Sequence, residues 1–118
     1  MSVKFNPEAF RKEVDQMTAQ WSGGAHGHAI RALREVQEER QRQDAKWGEQ
    51  NHDDYRWLAI LTEEVGELAQ AMLHSQFGGE HAGTERVELV QVAAVAVQWL
   101  ECMARRETAV SQEADNVL

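Results

Sequence analysis

Residues 84–105 read TERVELVQVAAVAVQWLECMAR, and this stretch decides the fold class. It holds five valines, and β-branched residues of this kind favour a strand. The stretch nevertheless runs for some twenty residues without glycine or proline, which is too long for an ordinary strand, so we predict a helix that ends near Arg105. From Leu89 to Leu100 it is apolar almost all round. We therefore expect this helix to be central, with a second subunit covering part of it.

Another helix is predicted just before this stretch, from about Tyr55 to Phe77. Asp53 or Asp54 is expected to cap its N-terminus, and Gly78, Gly79 and Gly83 break the chain after it. Its apolar residues recur at helical spacing and form one stripe: Trp57, Leu58, Leu61, Val65, Leu68 and Met72.

Two further helices are predicted in the first half of the chain. The first begins with Asn6 as N-cap and Pro7 at the first helical position, and Gly23-Gly24 is expected to end it. Its apolar stripe consists of Phe10, Val14, Met17 and Trp21. The next helix is predicted from about Ala25 to Lys46, and its second half is almost wholly polar.

Four helices per chain and no internal repeat predict an all-α helical bundle, with a core shared in a dimer or tetramer. We divide the chain into an N-terminal accessory helix (1–24), a helical domain (25–107) and a flexible C-terminal tail (108–118). The 118 residues suffice for one domain.

Composition excludes several classes of protein. The single cysteine, Cys102, rules out an internal disulfide framework and a cysteine-based zinc finger. A net charge of −8 argues against binding to a nucleic acid polymer, because phosphate backbones attract basic surfaces. The N-terminus lacks an apolar signal core, and no apolar run approaches the ~20 residues of a membrane span. We therefore expect a soluble, cytoplasmic protein that does not bind membranes.

Acidic residues are concentrated in the second half of the chain. Between Glu63 and Glu101 there are seven acidic residues and one base, Arg86. Glu67 shares a helix face with Glu63 and Glu64, and Glu64 borders the apolar stripe. Like charges beside a buried face raise one another's pKa unless a cation binds, and a hard divalent cation with oxygen ligands would neutralise them.

The following helix offers a matching face, because Glu88 and Gln91 lie three residues apart beside its own apolar stripe. Two antiparallel helices with such faces could bring four oxygen-bearing side chains to one point. The alternative is that these glutamates are ordinary surface charge.

The two acidic segments resemble the motif of the MazG-like nucleotide pyrophosphohydrolase superfamily. Glu63-Glu64-Val65-Gly66-Glu67 matches its Glu-Glu-x-x-Glu, and Glu88-Leu89-Val90-Gln91 follows where the superfamily has Glu-x-x-Asp. The stretch from about Glu38 through Lys46-Trp47-Gly48 to Trp99 is similar to one MazG-like subgroup, a little over half of the chain.

This resemblance implies an all-α homodimer or homotetramer in which acidic helices hold Mg²⁺, with Mn²⁺ as a substitute. It implies cleavage of a nucleoside triphosphate to the monophosphate and pyrophosphate. Carried over by position, Glu64, Glu67 and Glu88 would be metal ligands. Glu63 would be a further ligand or a group that orients the attacking water, so Glu63 and Glu64 are the catalytic candidates.

Gln91 departs from the motif, which has Asp at this position. Its neutral carbonyl oxygen can serve as a fourth metal ligand, but it lacks the charge that holds Mg²⁺ and cannot act as a base. The substitution leaves three consequences open: weaker metal affinity, an altered number of metal ions, or loss of catalysis. The alternative function is thus a catalytically impaired MazG-like oligomer that binds nucleotide or protein, and a third is a helical assembly protein with solvated acids.

Four residues are candidates for substrate binding. Arg42 and Lys46 are placed to contact a triphosphate, although an exposed helix with weak ion pairs explains them equally well. Trp47 and Trp57 flank the loop before the acidic helix and could stack a nucleobase. Core packing is the alternative for both tryptophans.

Overall fold

The computed structural model describes residues 4–21 and 26–117. It is all-helical over these residues, without strands, and its elements are α1 (Pro7–Trp21), α2 (Gly27–Trp47), α3 (Asp54–Phe77) and α4 (Glu85–Val117). The prediction of an all-α fold with four helices is therefore confirmed.

Two of the predicted N-caps are present. The side chain of Asn6 accepts hydrogen bonds from the backbone N–H groups of Glu8 and Ala9, at 3.0 and 3.2 Å. Asp53 caps α3 by accepting a 2.8 Å bond from the N–H of Arg56. The predicted stop at Gly23-Gly24 and the predicted start at Ala25 lie outside the described residues.

Helix α4 is longer than predicted. It continues beyond Arg105 to Val117, through the segment predicted as a tail. The apolar periodicity that marked its first part does stop, but no glycine or proline follows Gly83, so nothing in the backbone ends the helix there. The boundaries of the accessory helix, domain and tail stay predictions.

The chain forms two compact units. One comprises Met1–Arg34 and Ala104–Leu118, and the other comprises Glu35–Met103. Among the described residues of the first unit, no side chain is buried. The predicted apolar stripe of α1 is accordingly exposed, at Phe10, Val14, Met17 and Trp21.

The second unit contains the buried core. Trp57, Val95 and Cys102 form its centre, and Ile60, Leu61 and Trp99 pack against them. Ala71 and Ala94 are also fully buried. Trp57 is 0% exposed, which agrees with the packing alternative rather than with a stacking surface.

A buried arginine joins α2 to α4 within this unit. The guanidinium of Arg40 donates to Glu101 at 2.6 Å, to Gln43 at 3.0 Å and to Asp44 at 3.0 Å. Arg40 is only 7% exposed, so its charge is satisfied within the protein. It therefore fixes the position of α2 beside α4.

Helix α4 differs from expectation in its hydropathy. The segment Glu85–Asn116 is long and apolar enough to cross a membrane by length and composition, although the central helix of a soluble protein passes the same test. Its inner side holds the buried residues Ala94, Val95 and Cys102, whereas Leu89 and Leu100 are exposed. The cytoplasmic location and the covering subunit stay predictions.

Candidate metal centre

Glu64 occupies a core position of α3. It lies seven residues after Trp57 and seven before Ala71, both of which are fully buried, so all three share the inward face of the helix. Glu64 itself is half-buried, and its neighbours Glu63 and Glu67 are exposed. A carboxylate in this place loses hydration that an apolar residue would not need.

Helix α4 contributes the facing side chains. Glu88 precedes the buried residues Val95 and Cys102 at the same seven-residue spacing, and its N–H donates to the carbonyl of Thr84 in the first turn. One carboxylate oxygen each of Glu64, Glu67 and Glu88 all lie within 4.8 Å of one another. We call these three residues the carboxylate cluster.

Two of these acids, Glu64 and Glu88, have a raised pKa. The pKa of Glu64 is raised from 4.5 to about 7, chiefly by burial and in addition by the charges of Glu67, Glu88 and Glu63. Burial also raises the pKa of Glu88, again with a contribution from Glu67, while nearby His81 lowers it. Ionisation of Glu64 and Glu88 therefore costs more free energy in the folded protein than it does for a glutamate in water.

Gln91 reaches the same point from α4. With the nitrogen of its amide facing the cluster, it donates to Glu88 at 3.2 Å and to Glu64 at 3.3 Å. Of the four residues predicted as metal ligands, the structure thus brings all four together. Glu63 lies beside them on the exposed side of α3.

The donor set fits a hard divalent cation. Carboxylate and amide oxygens are the ligands that Mg²⁺ and Mn²⁺ take, and neither sulfur nor imidazole belongs to the cluster. The residues present are consistent with the metal that the sequence predicts.

A cleft of about 320 Å³ adjoins the cluster through Gln91. Its lining residues come from α2 and the start of α4: Glu35, Glu38, Glu39, Arg42, Arg86, Val87, Val90 and Gln91. The predicted substrate residue Arg42 thus lies in the same cleft as Gln91, with its Nε donating to Glu39 at 3.2 Å.

The other predicted substrate residues are placed differently. Trp57 is enclosed in the core. Trp47 is 63% exposed at the end of α2, and the Nζ of Lys46 lies 4.8 Å from the centre of its ring. Neither Lys46 nor Trp47 lines the cleft.

Sequence reasoning missed two residues near the site. Arg86 lines the cleft and donates to both carboxylate oxygens of Glu35, at 2.6 and 3.1 Å. Its isolation as the one base among seven acids was the signal that could have found it. His81 was also missed, and it lies in a loop that folds back onto α3.

That loop is held by specific contacts. The N–H of His81 donates to Nδ1 of His74 at 3.1 Å, and the two rings stack with centres 5.2 Å apart. The N–H of Gly83 donates to the hydroxyl of Ser75 at 2.9 Å. Gly79 lies against the His74 ring so closely that a Cβ there would be 2.4 Å from its Cγ. The loop therefore sets where α4 begins relative to α3.

Comparison with known proteins adds no relative: models of protein families, curated proteins and solved structures all fail to match this chain.

Proposed function

We propose that this chain is a Mg²⁺-dependent nucleoside triphosphate pyrophosphohydrolase of the MazG-like type, which forms a monophosphate and pyrophosphate. The observation that carries the proposal is the convergence of Glu64, Glu67 and Glu88 from two helices, with their oxygens within 4.8 Å. It agrees with the resemblance of both acidic segments to the MazG-like motif.

The proposal gives each residue a role. Glu64, Glu67 and Glu88 would hold the cation, together with the amide oxygen of Gln91. The cation, when bound, would polarise phosphoryl oxygens and lower the pKa of a water molecule. Glu63, exposed beside the cluster, would accept a hydrogen bond from the attacking water and orient it.

The cleft gives a place for the rest of the substrate. Arg42 carries a positive charge in the same cleft as Gln91, where it would contact phosphate oxygens. Lys46 and Trp47 lie outside the cleft and would act only if the substrate extended past it.

Pyrophosphate release with Mg²⁺ across a panel of nucleoside and deoxynucleoside triphosphates tests the proposal. We expect release with at least one of them, loss of release in Glu64→Gln, and no change in Glu107→Gln, which removes an acid of α4 from outside the cluster. If no triphosphate is cleaved while the chain is folded, or if both variants behave alike, the proposal is wrong.

A second candidate function is a binding protein without catalysis, and the observation that favours it is Gln91 in place of a motif aspartate. Such a protein would bind Mg²⁺ and a triphosphate, measured by calorimetry, without releasing pyrophosphate. Gln91→Asp would then be expected to restore release. The third reading, a helical assembly protein with solvated acids, predicts no cation binding at all.

We also propose that the chain is a homodimer or homotetramer. Exposed apolar residues form a stripe on α3 at Leu58, Val65 and Met72, and Leu89 and Leu100 are exposed on one face of α4. Light scattering should give at least twice the mass of one chain. Leu100→Glu should reduce the mass, whereas Val110→Glu, at another exposed position of α4, should not.

A further inference from the structure

Gln91 stands at the point where two carboxylates of the cluster face each other. Its terminal amide is 3.2 Å from Oε2 of Glu88 and 3.3 Å from Oε2 of Glu64. An ionised carboxylate oxygen only accepts hydrogen bonds, so an amide oxygen in this place would face two acceptors. The amide nitrogen has two hydrogens and can donate one to each acid.

In this orientation the amide does part of what a cation would do. It places the positive end of a dipole between two acids that otherwise repel each other, and it does so without adding charge. Hydrogen bonds to ionised groups are about twice as strong as neutral ones, so the bond from Gln91 to Glu64 contributes to holding α4 in register with α3, while the bond to Glu88 lies within α4.

The same side chain can also serve the opposite purpose. Turning the amide by half a turn about its last bond exchanges nitrogen and oxygen while the chain stays in place. The oxygen would then face Glu64 and Glu88, and a hard cation held by these acids would take it as a ligand. An aspartate at position 91 could not donate at neutral pH and would add a negative charge to the cluster.

We propose that Gln91 is a positioning residue with two states: a donor that holds Glu64 and Glu88 together without a cation, and an oxygen ligand once a cation binds. This inference rests on the cation-binding part of the proposed function. It requires no catalysis, and it therefore applies equally to an enzyme and to a binding protein.

Two variants separate the two states. Gln91→Met keeps the length but has neither donor nor oxygen, so it should lower the melting temperature in EDTA and weaken Mn²⁺ binding by about ten-fold or more. Gln91→Glu keeps the length but adds a charge, so it should lower the melting temperature in EDTA and strengthen Mn²⁺ binding by about ten-fold. The same two substitutions at the exposed Gln70 of α3 should change neither quantity.

The NMR resonances of the Gln91 side-chain amide distinguish the two-state role from a purely structural one, in which a cation would leave these resonances unchanged. The Gln91 pair is identified as the pair missing from the ¹⁵N spectrum of Gln91→Met. We expect Mg²⁺ to shift this pair strongly, while the pair of Gln70 stays in place.

The outcomes distinguish this inference from the proposed function. If the wild-type chain binds Mn²⁺ but the Gln91 resonances do not move, or if Gln91→Glu changes stability and affinity in the same direction, the inference is wrong and the proposed function stands. If the wild-type chain binds no divalent cation, the proposed function fails and this inference fails with it.

Discussion

Replacing Glu64 by glutamine is expected to stabilise the cation-free protein above pH 7 and to abolish cation binding. The substitution should raise stability and yet remove cation binding, because Glu64 places a negative charge on the inward face of α3, seven residues from both Trp57 and Ala71. Glutamine keeps the shape and the acceptor oxygen for Gln91 but removes the charge that burial and the neighbouring acids oppose.

The raised pKa of Glu64 determines how its contribution to folding stability changes with pH. The pKa of Glu64 is about 7 in the folded protein and about 4.5 when unfolded, so the folded state binds the proton more tightly. Proton binding by Glu64 therefore stabilises the folded state. The stabilisation is complete below pH ~4.5 and is lost as the pH rises to 7 and above. The difference corresponds to about 3 kcal/mol, which solvent screening at this partly exposed acid reduces to about 1–2 kcal/mol.

Urea unfolding in EDTA near pH 5.5 and near pH 8 measures this. Glu64→Gln should be about 1–2 kcal/mol more stable than wild type at the higher pH, or roughly 4–8 °C in melting temperature, and less than half of that at the lower pH. Glu63→Gln, a control at the exposed neighbour, should change stability little at either pH. A Glu64→Gln protein that is less stable than wild type near pH 8, or equally shifted at both pH values, would refute the reasoning.

Three further substitutions test the fold that positions the site. Gly79→Ala should destabilise by about 2 kcal/mol or more, because its φ is +150° and its Cβ would overlap the His74 ring. Gly66→Ala is its matched control within α3 and should stabilise by about 0.5–1 kcal/mol, because a Cβ there meets nothing within 4 Å. Arg40→Lys should destabilise by about 1–3 kcal/mol, because lysine cannot make the three bonds that include the 2.6 Å bond to Glu101. Urea unfolding measures all three, and a reversed order of the two glycine variants would contradict the first pair.

The helices were predictable because local signals mark them. Asn6 and Asp53 cap α1 and α3 as predicted, since a short polar side chain before an apolar stripe satisfies free N–H groups wherever the helix later packs. The end of α4 was predicted about twelve residues too early. Loss of apolar periodicity indicates that burial ends, but without a glycine or proline the backbone can continue as a helix past that point.

The candidate site was predictable only in part. The spacing of Glu64 and Glu67 places them on adjacent turns of one helix whatever the fold. Which residues of α4 face them depends on the register of two helices, and Glu88 and Gln91 were predicted from their three-residue spacing beside an apolar stripe, with the motif resemblance as support. The isolation of Arg86 among seven acids marked it in the sequence, but its contact with Glu35, like the position of His81 near Glu88, depends on tertiary structure that no local pattern encodes.

Helix α4 links the proposed cation site to the proposed self-association, because each involves a different face of this helix. Its inner face carries Glu88, Gln91 and the buried Gln98 among apolar residues, while Leu89 and Leu100 on its outer face are 56% and 63% exposed. A helix that gives polar groups to the core and apolar groups to solvent loses burial free energy on both faces. A cation among the acids would offset the first loss and a second copy over the outer face the second. Cation binding and self-association should therefore each raise the stability of the chain, and they act on opposite faces of the same helix.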